Sequence, residues 1–121
     1  MAVLGVSRRR AAAVAWTVAI FAACSIPGDA LPRAPIVSAD KIVHVVMFAV
    51  FAVLWIRAAP GRGWTILAAA VAFAVGIEVW QQLPLVGRTA DPWDAVADVL
   101  GAALGLGGWS ARRARRQRSA G

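Results

Sequence analysis

The chain has 121 residues, 60% of them hydrophobic and 16% charged, with a formal net charge of +7 and one cysteine. A soluble domain usually carries about 45–50% apolar and about 25% charged residues, and a chain this short would have to leave much apolar surface in water. The composition excludes an ordinary soluble enzyme, a disordered chain and a disulfide scaffold, and it predicts an integral membrane protein.

Four apolar stretches approach the roughly 20 residues that a membrane-spanning helix needs. The first covers about 11–26 and is stopped by Pro27-Gly28. The second covers about 40–59 and ends before Pro60-Gly61, and the third covers about 64–83 and ends before Pro84. The fourth opens at Asp91-Pro92, runs to about 111 and is followed by a basic tail over 112–121. The expected fold is all-α: a four-helix transmembrane bundle in one domain over 1–121. Arg8–Arg10 and Phe21-Ala22-Ala23-Cys24 also have the outline of a signal peptide with a lipoprotein box. Such a box usually has Leu where Phe21 stands, so the first helix is expected to be retained, with Cys24 a packing residue.

Charge sets the expected orientation. Arg8, Arg9, Arg10, Arg57, Arg62, Arg112, Arg113, Arg115, Arg116 and Arg118 fall on one side of a four-span bundle, and only Arg33, Lys41 and Arg88 on the other. The positive-inside tendency then puts both termini in the cytoplasm of a multi-pass plasma-membrane protein. All six acids, Asp29, Asp40, Glu78, Asp91, Asp94 and Asp98, fall on the outer half. Trp55, Trp64 and Trp109 mark the inner boundary and Trp80 and Trp93 the outer one, leaving Trp16 inside a span. The basic tail is expected to meet anionic inner-leaflet lipids. Nucleic acid is not an expected partner, since no stacking aromatics accompany the charges.

Charged groups inside a membrane are costly and are rarely kept without a role. At 1.5 Å rise per residue, His44 lies roughly 5–6 Å, Glu78 roughly 7–8 Å and Asp98 roughly 9 Å below the outer helix ends. Asp40 with His44, Glu78 with Gln81 and Gln82, and Asp91 with Asp94 and Asp98 each share one helical face. Three helices thus aim polar stripes at one another beneath Arg88, predicting a polar pocket open to the outside. Asp91 and Pro92 read as an N-cap and first helical position, with Asp94 either in the first turn for its dipole or in the site. Ser38 and Asp40 can cap the second helix, and Lys41 can snorkel. Asp98 is too deep to cap, and Glu78 sits at the unfavourable, negative end of its helix dipole. His44 can pair with either. The Gly101–Gly105 stretch, continuing to Gly107-Gly108, is a small-residue ridge suited to close helix packing.

The segments Asp40-Lys41-Ile42-Val43-His44 with Phe48, Glu78-Val79-Trp80-Gln81, Gly87-Arg88, and Asp94–Ala102 with Gly105 occur in that order with a helix between each. In them the chain resembles the VanZ-like family of small bacterial membrane proteins, over about Ser38 to Gly108. The family pattern more often has Asn where this chain has Asp98. The resemblance implies a multi-spanning envelope protein, and its name-giving member is associated with low-level resistance to the glycopeptide teicoplanin.

Two functions follow as expectations. In the first, an envelope factor uses the outward polar site to alter how membrane lipids or lipid-linked wall precursors meet glycopeptides. In the second, an intramembrane enzyme acts on a phospholipid or lipid-linked precursor head group, with Glu78 and His44 as acid/base pair. In either, Asp40, Lys41, Gln81, Arg88, Asp94 and Asp98 are the expected binding residues, Arg88 holding a phosphate. No cofactor and no metal are expected: His44, Glu78, Asp94 and Asp98 offer nitrogen and oxygen ligands, but there is no HExxH-like pair or cysteine cluster. A transporter is disfavoured because the ionisable groups stop in the outer half.

Overall fold

The computed structural model describes residues 2–27, 37–89 and 91–121. Gly28, Asp29 and Arg33, with the Ser38 side chain, lie outside the described residues. The described residues form four α-helices and no strand: α1 Ala2–Cys24, α2 Val37–Ala58, α3 Gly63–Gln81 and α4 Pro92–Ala120.

Two helices, α1 and α4, run about nine residues past their expected bounds, and α2 starts three residues early. Arg8–Arg10 lie inside α1 rather than ahead of it. The segment 112–121, expected as a tail, is the end of α4, which runs to Ala120. Its Ala, Arg, Gln and Ser residues tolerate a helix well, and no Gly or Pro interrupts them before Gly121. The breaks between helices fall where glycine permits them. Gly61 (φ 81°) turns α2 into α3, and Gly87 (φ 61°) turns the chain after α3.

The central helix is α2. It packs along α4 on one side and α1 on the other; α3 packs chiefly on α4, and α1 and α4 do not touch. On α2, His44, Phe48, Phe51, Ala52 and Ile56 are buried at helical spacing, and the four apolar ones meet Ile66, Ala70, Ala74 and Ile77 of α3 and Ala102 of α4. Phe73 lies 5.7 Å from Phe48 and 5.8 Å from Phe51, ring centre to ring centre, closing the α2–α3 seam. The α1–α2 seam is held by indole donors: Trp16 Nε1 reaches the Met47 carbonyl at 3.0 Å and Trp55 Nε1 the Thr17 hydroxyl at 3.0 Å.

The small-residue ridge of α4 divides in two. A Cβ on Gly101 would stand 2.2 Å from the Val45 carbonyl oxygen, and one on Gly105 2.5 Å from that of Ala49. Here the α2 backbone rests directly on α4, as small residues allow. Gly107 and Gly108 face open space.

Every helix turns an apolar row outward: Val14, Val18 and Phe21 on α1, Ile42, Val43 and Val46 on α2, Val71, Val75 and Val79 on α3, and Val96, Leu100 and Leu104 on α4. Two helices, α2 (Asp40–Ala58, mean hydropathy 1.9) and α3 (Gly63–Gln81, 1.7), are long and apolar enough by themselves to cross a membrane. The other two, expected as spans, do not meet that measure. Every 18-residue stretch of α1 contains Arg8–Arg10, and α4 carries Asp94 and Asp98 at one end and arginines at the other.

Candidate functional site

The expected polar residues converge at one end of the bundle, where the start of α2, the end of α3 and the start of α4 meet. The start of α4 organises them. Asp91 is its N-cap, accepting the Trp93 N–H on Oδ1 at 3.0 Å, with Pro92 in the first turn. Each turn of α4 from there places one acid on the buried face: Asp94, then Asp98, the latter 1% exposed. An α-helix from a soluble protein would put these acids outside and Val96, Leu100 and Leu104 inside; α4 does the reverse.

From α2, Lys41 reaches across to both Asp91 and Asp94. One turn deeper, His44 (4% exposed) holds Asp98, with Nδ1 2.7 Å from Oδ1. With Asp98 ionised the carboxylate can only accept, and Nδ1 is then the donor in this bond. The other nitrogen, Nε2, lies 3.8 Å from Asp94 Oδ2, too far for a hydrogen bond. Asp40 lies inside the first turn of α2, which starts at Val37, so it does not cap that helix. It is half-buried, with a carboxylate oxygen within 4.8 Å of a His44 ring nitrogen.

From α3, Glu78 (8% exposed) accepts the Asp91 N–H on Oε2 at 3.1 Å. The unfavourable dipole read for Glu78 from its own helix is answered by its partner: its carboxylate meets the start of α4, where the backbone N–H groups concentrate positive charge. Its Oε1 is buried without a hydrogen-bond partner among the described residues. His44 is paired with Asp98, and no hydrogen bond joins it to Glu78 among the described residues. Asp91, outside the helices, has its carboxyl held below the usual range by the hydrogen bond from Lys41.

Gln81 and Arg88 turn elsewhere. Gln81 Nε2 and an Arg88 guanidinium nitrogen both donate to the Cys24 carbonyl, at 3.1 and 3.3 Å. They complete the accounting for the open end of α1. The Phe21 carbonyl takes the Ser25 hydroxyl, Ala22 and Ala23 take the N–H groups of Ser25 and Ile26, and Cys24 takes the two side chains. Trp80 Nε1 adds a bond to Ser25 Oγ at 2.9 Å. Gln82 is exposed at the α3 C-cap. Sequence reasoning missed this second use of α3, because the acceptor is a backbone carbonyl with no side-chain signature.

For a cation, Asp40, His44 and Asp94 each offer one ligand atom, all within 4.8 Å of one another. Asp98 on the other imidazole nitrogen is the arrangement that orients a ligand histidine. Lys41 already stands on Asp94, so a cation would share that carboxylate.

No curated protein and no solved structure matches the chain. The profile of the VanZ/LLP1 family matches residues 6–113, which take in α2 and α3, most of α1 and α4, and every residue of the polar cluster. On that match the chain belongs to the VanZ/LLP1 family.

Proposed function

We propose that this is a multi-pass protein of the bacterial plasma membrane, crossing four times with both termini in the cytoplasm. Its polar cluster then faces outward and lowers sensitivity to glycopeptides such as teicoplanin by engaging a lipid or lipid-linked precursor head group. The four-span reading draws support from the apolar rows that all four helices expose, far more than a water-soluble protein tolerates. Charge supports the orientation: the described arginines other than Arg88 gather at one end, and Asp40, Glu78, Asp91, Asp94 and Asp98 at the other. The observation that carries the functional reading is the buried His44–Asp98 pair beneath Lys41, Asp91 and Asp94. So many ionisable groups within a membrane are costly for a packing role alone.

A second reading, an enzyme acting on a phospholipid or precursor head group, rests on Glu78. Its Oε1 is a buried carboxylate oxygen without a hydrogen-bond partner among the described residues, which suits a group that exchanges protons. His44 would be the other half of that acid/base pair, oriented by Asp98.

The test is teicoplanin and vancomycin susceptibility in a sensitive host expressing the protein, beside Glu78→Gln and His44→Ala at matched membrane levels. Protection by the wild type that both substitutions reduce is the expected result. Partial protection by Glu78→Gln favours the non-enzymatic reading, and complete loss with normal insertion favours the enzyme. A well-inserted wild type that gives no protection would sink the glycopeptide role.

A further inference from the structure

The end of the bundle away from the polar cluster holds a cavity of about 540 Å³. It forms because α1 and α4 both lie against α2 without touching each other. Their basic ends pass the end of α2 on either side of a gap. Arg9 of α1, Arg57 of α2, and Arg112, Arg113 and Arg116 of α4 line it, with Trp109 on the α4 wall. Trp109, Arg112, Arg113 and Arg116 are spaced i, i+3, i+4 and i+7 and so share one helical face. That face exists because α4 stays helical to Ala120. Arg9 is tied to the end of α2 by a bond from Nη1 to the Arg57 carbonyl at 3.5 Å.

Five like charges around one cavity repel one another. The C-terminal end of α2, where Arg57 lies, offsets part of this through its dipole, but no carboxylate among the described residues pairs with these arginines. The ion pairs among the described residues involve only Lys41 and His44, at the other end. Guanidinium groups present planar, multi-donor forks that match phosphate oxygens. An amphipathic indole beside them suits the boundary between head group and hydrocarbon.

We infer that this cavity, walled by Arg9, Arg57, Arg112, Arg113 and Arg116, is a binding site for a phosphate-bearing anion. If the membrane orientation proposed above holds, the cavity lies at the inner leaflet and the phosphate is that of an anionic phospholipid head group. Anion binding by the isolated protein does not depend on that orientation. Arg115 and Arg118 belong to the same helical segment but do not line the cavity. They separate a built site from general attraction by a basic terminus.

The test uses the full chain in neutral detergent. Native mass spectrometry counts retained phosphatidylglycerol against phosphatidylcholine, with inorganic phosphate as competitor. One phosphatidylglycerol is retained in preference to phosphatidylcholine. The double substitution Arg57→Gln with Arg113→Gln weakens retention by roughly fivefold per guanidinium removed. The double substitution Arg115→Gln with Arg118→Gln removes the same charge and leaves retention unchanged. Displacement by millimolar inorganic phosphate would keep the anion site but assign it to a soluble phosphate compound. Equal losses in the two double variants, or binding of neither lipid nor phosphate, would overturn the proposal. Circular dichroism establishes that each variant is folded, and Arg116→Gln alone serves where the first double variant is not. None of these residues touches the polar cluster, so the outcome is independent of the teicoplanin experiment.

Discussion

His44 and Asp98 join α2 to α4 through a 2.7 Å bond between Nδ1 and Oδ1, with both side chains almost wholly buried. The bond lies one turn before the point where Gly101 admits the Val45 backbone, so close helix contact and polar pairing fix the same register. What His44 requires from Asp98 is an acceptor. Asp98→Asn retains one oxygen to accept the Nδ1–H, whereas Asp98→Ala leaves that donor bare and opens space. Alanine is expected to cost about 1–3 kcal/mol, the penalty for an unsatisfied buried polar group, and asparagine less than half of that. Thermal unfolding in detergent measures both. Equal losses would mean that the charge of Asp98, not its acceptor, holds the helices together.

The glycines of α4 make a second, position-specific prediction. A methyl on Gly101 or Gly105 would overlap α2 backbone, which cannot move aside as a flexible side chain can. Gly101→Ala and Gly105→Ala should each cost about 1–3 kcal/mol, the usual penalty of overpacking. Gly101→Ala should also mimic loss of the His44–Asp98 bond by pushing α2 away. Gly107→Ala and Gly108→Ala meet open space and should be neutral or stabilising by up to about 1 kcal/mol through helix propensity. Melting temperatures of the four single variants decide this.

How far the sequence reveals this arrangement depends on which atoms make each contact. Helical periodicity places Asp94 and Asp98 on one face, and the Asp91-Pro92 start of α4 is legible because capping uses side chains with known preferences. Glu78 is legible as an anomaly, a carboxylate at the wrong end of its own helix; its solution, the Asp91 N–H of the next helix, is tertiary and has no sequence signal. The division of the glycine ridge, with Gly101 and Gly105 inward and Gly107 and Gly108 outward, is likewise decided by which helix lies alongside. Gln81 and Arg88 look like site residues from spacing alone, because nothing in a sequence announces that the Cys24 carbonyl needs a donor. Hydropathy singles out α2 and α3 and passes over α1 and α4, since it averages a charged buried face or end with an apolar outer row.

Acid should loosen the cap of α4. Lys41 holds the Asp91 carboxyl below its ordinary value of 3.8. A carboxyl lowered in the folded state contributes stability that is present above its unfolded pKa and is lost as pH falls through the folded one. The contribution is therefore full above about pH 4 and disappears below it. Its size is modest, because the Asp91 side chain is 38% exposed and solvent screens the pair. Asp91→Asn should flatten the part of the stability profile that falls as pH drops below about 4, measured by urea or thermal unfolding in a detergent whose own charge does not change. An unchanged slope would show that the Lys41 contact does not bias Asp91.

The Cys24 carbonyl gives a prediction about non-additivity. Gln81, 2% exposed, and Arg88 both donate to it, so removing either leaves the other in place. Gln81→Leu keeps most of the side-chain volume and should cost about 1 kcal/mol, the net worth of one hydrogen bond. Arg88→Ala should cost no more, because its guanidinium is nearer to solvent and its bond is the longer of the two. With both removed, the last carbonyl of α1 has no side-chain donor, and the desolvation penalty of that group is added. The double variant should therefore exceed the sum of the singles by on the order of 1 kcal/mol. A double-mutant cycle on thermal or denaturant unfolding reads that coupling directly. Strict additivity would mean that water or another donor replaces the lost bonds, and Arg88 would then be free to serve the polar cluster as its place in the sequence suggests.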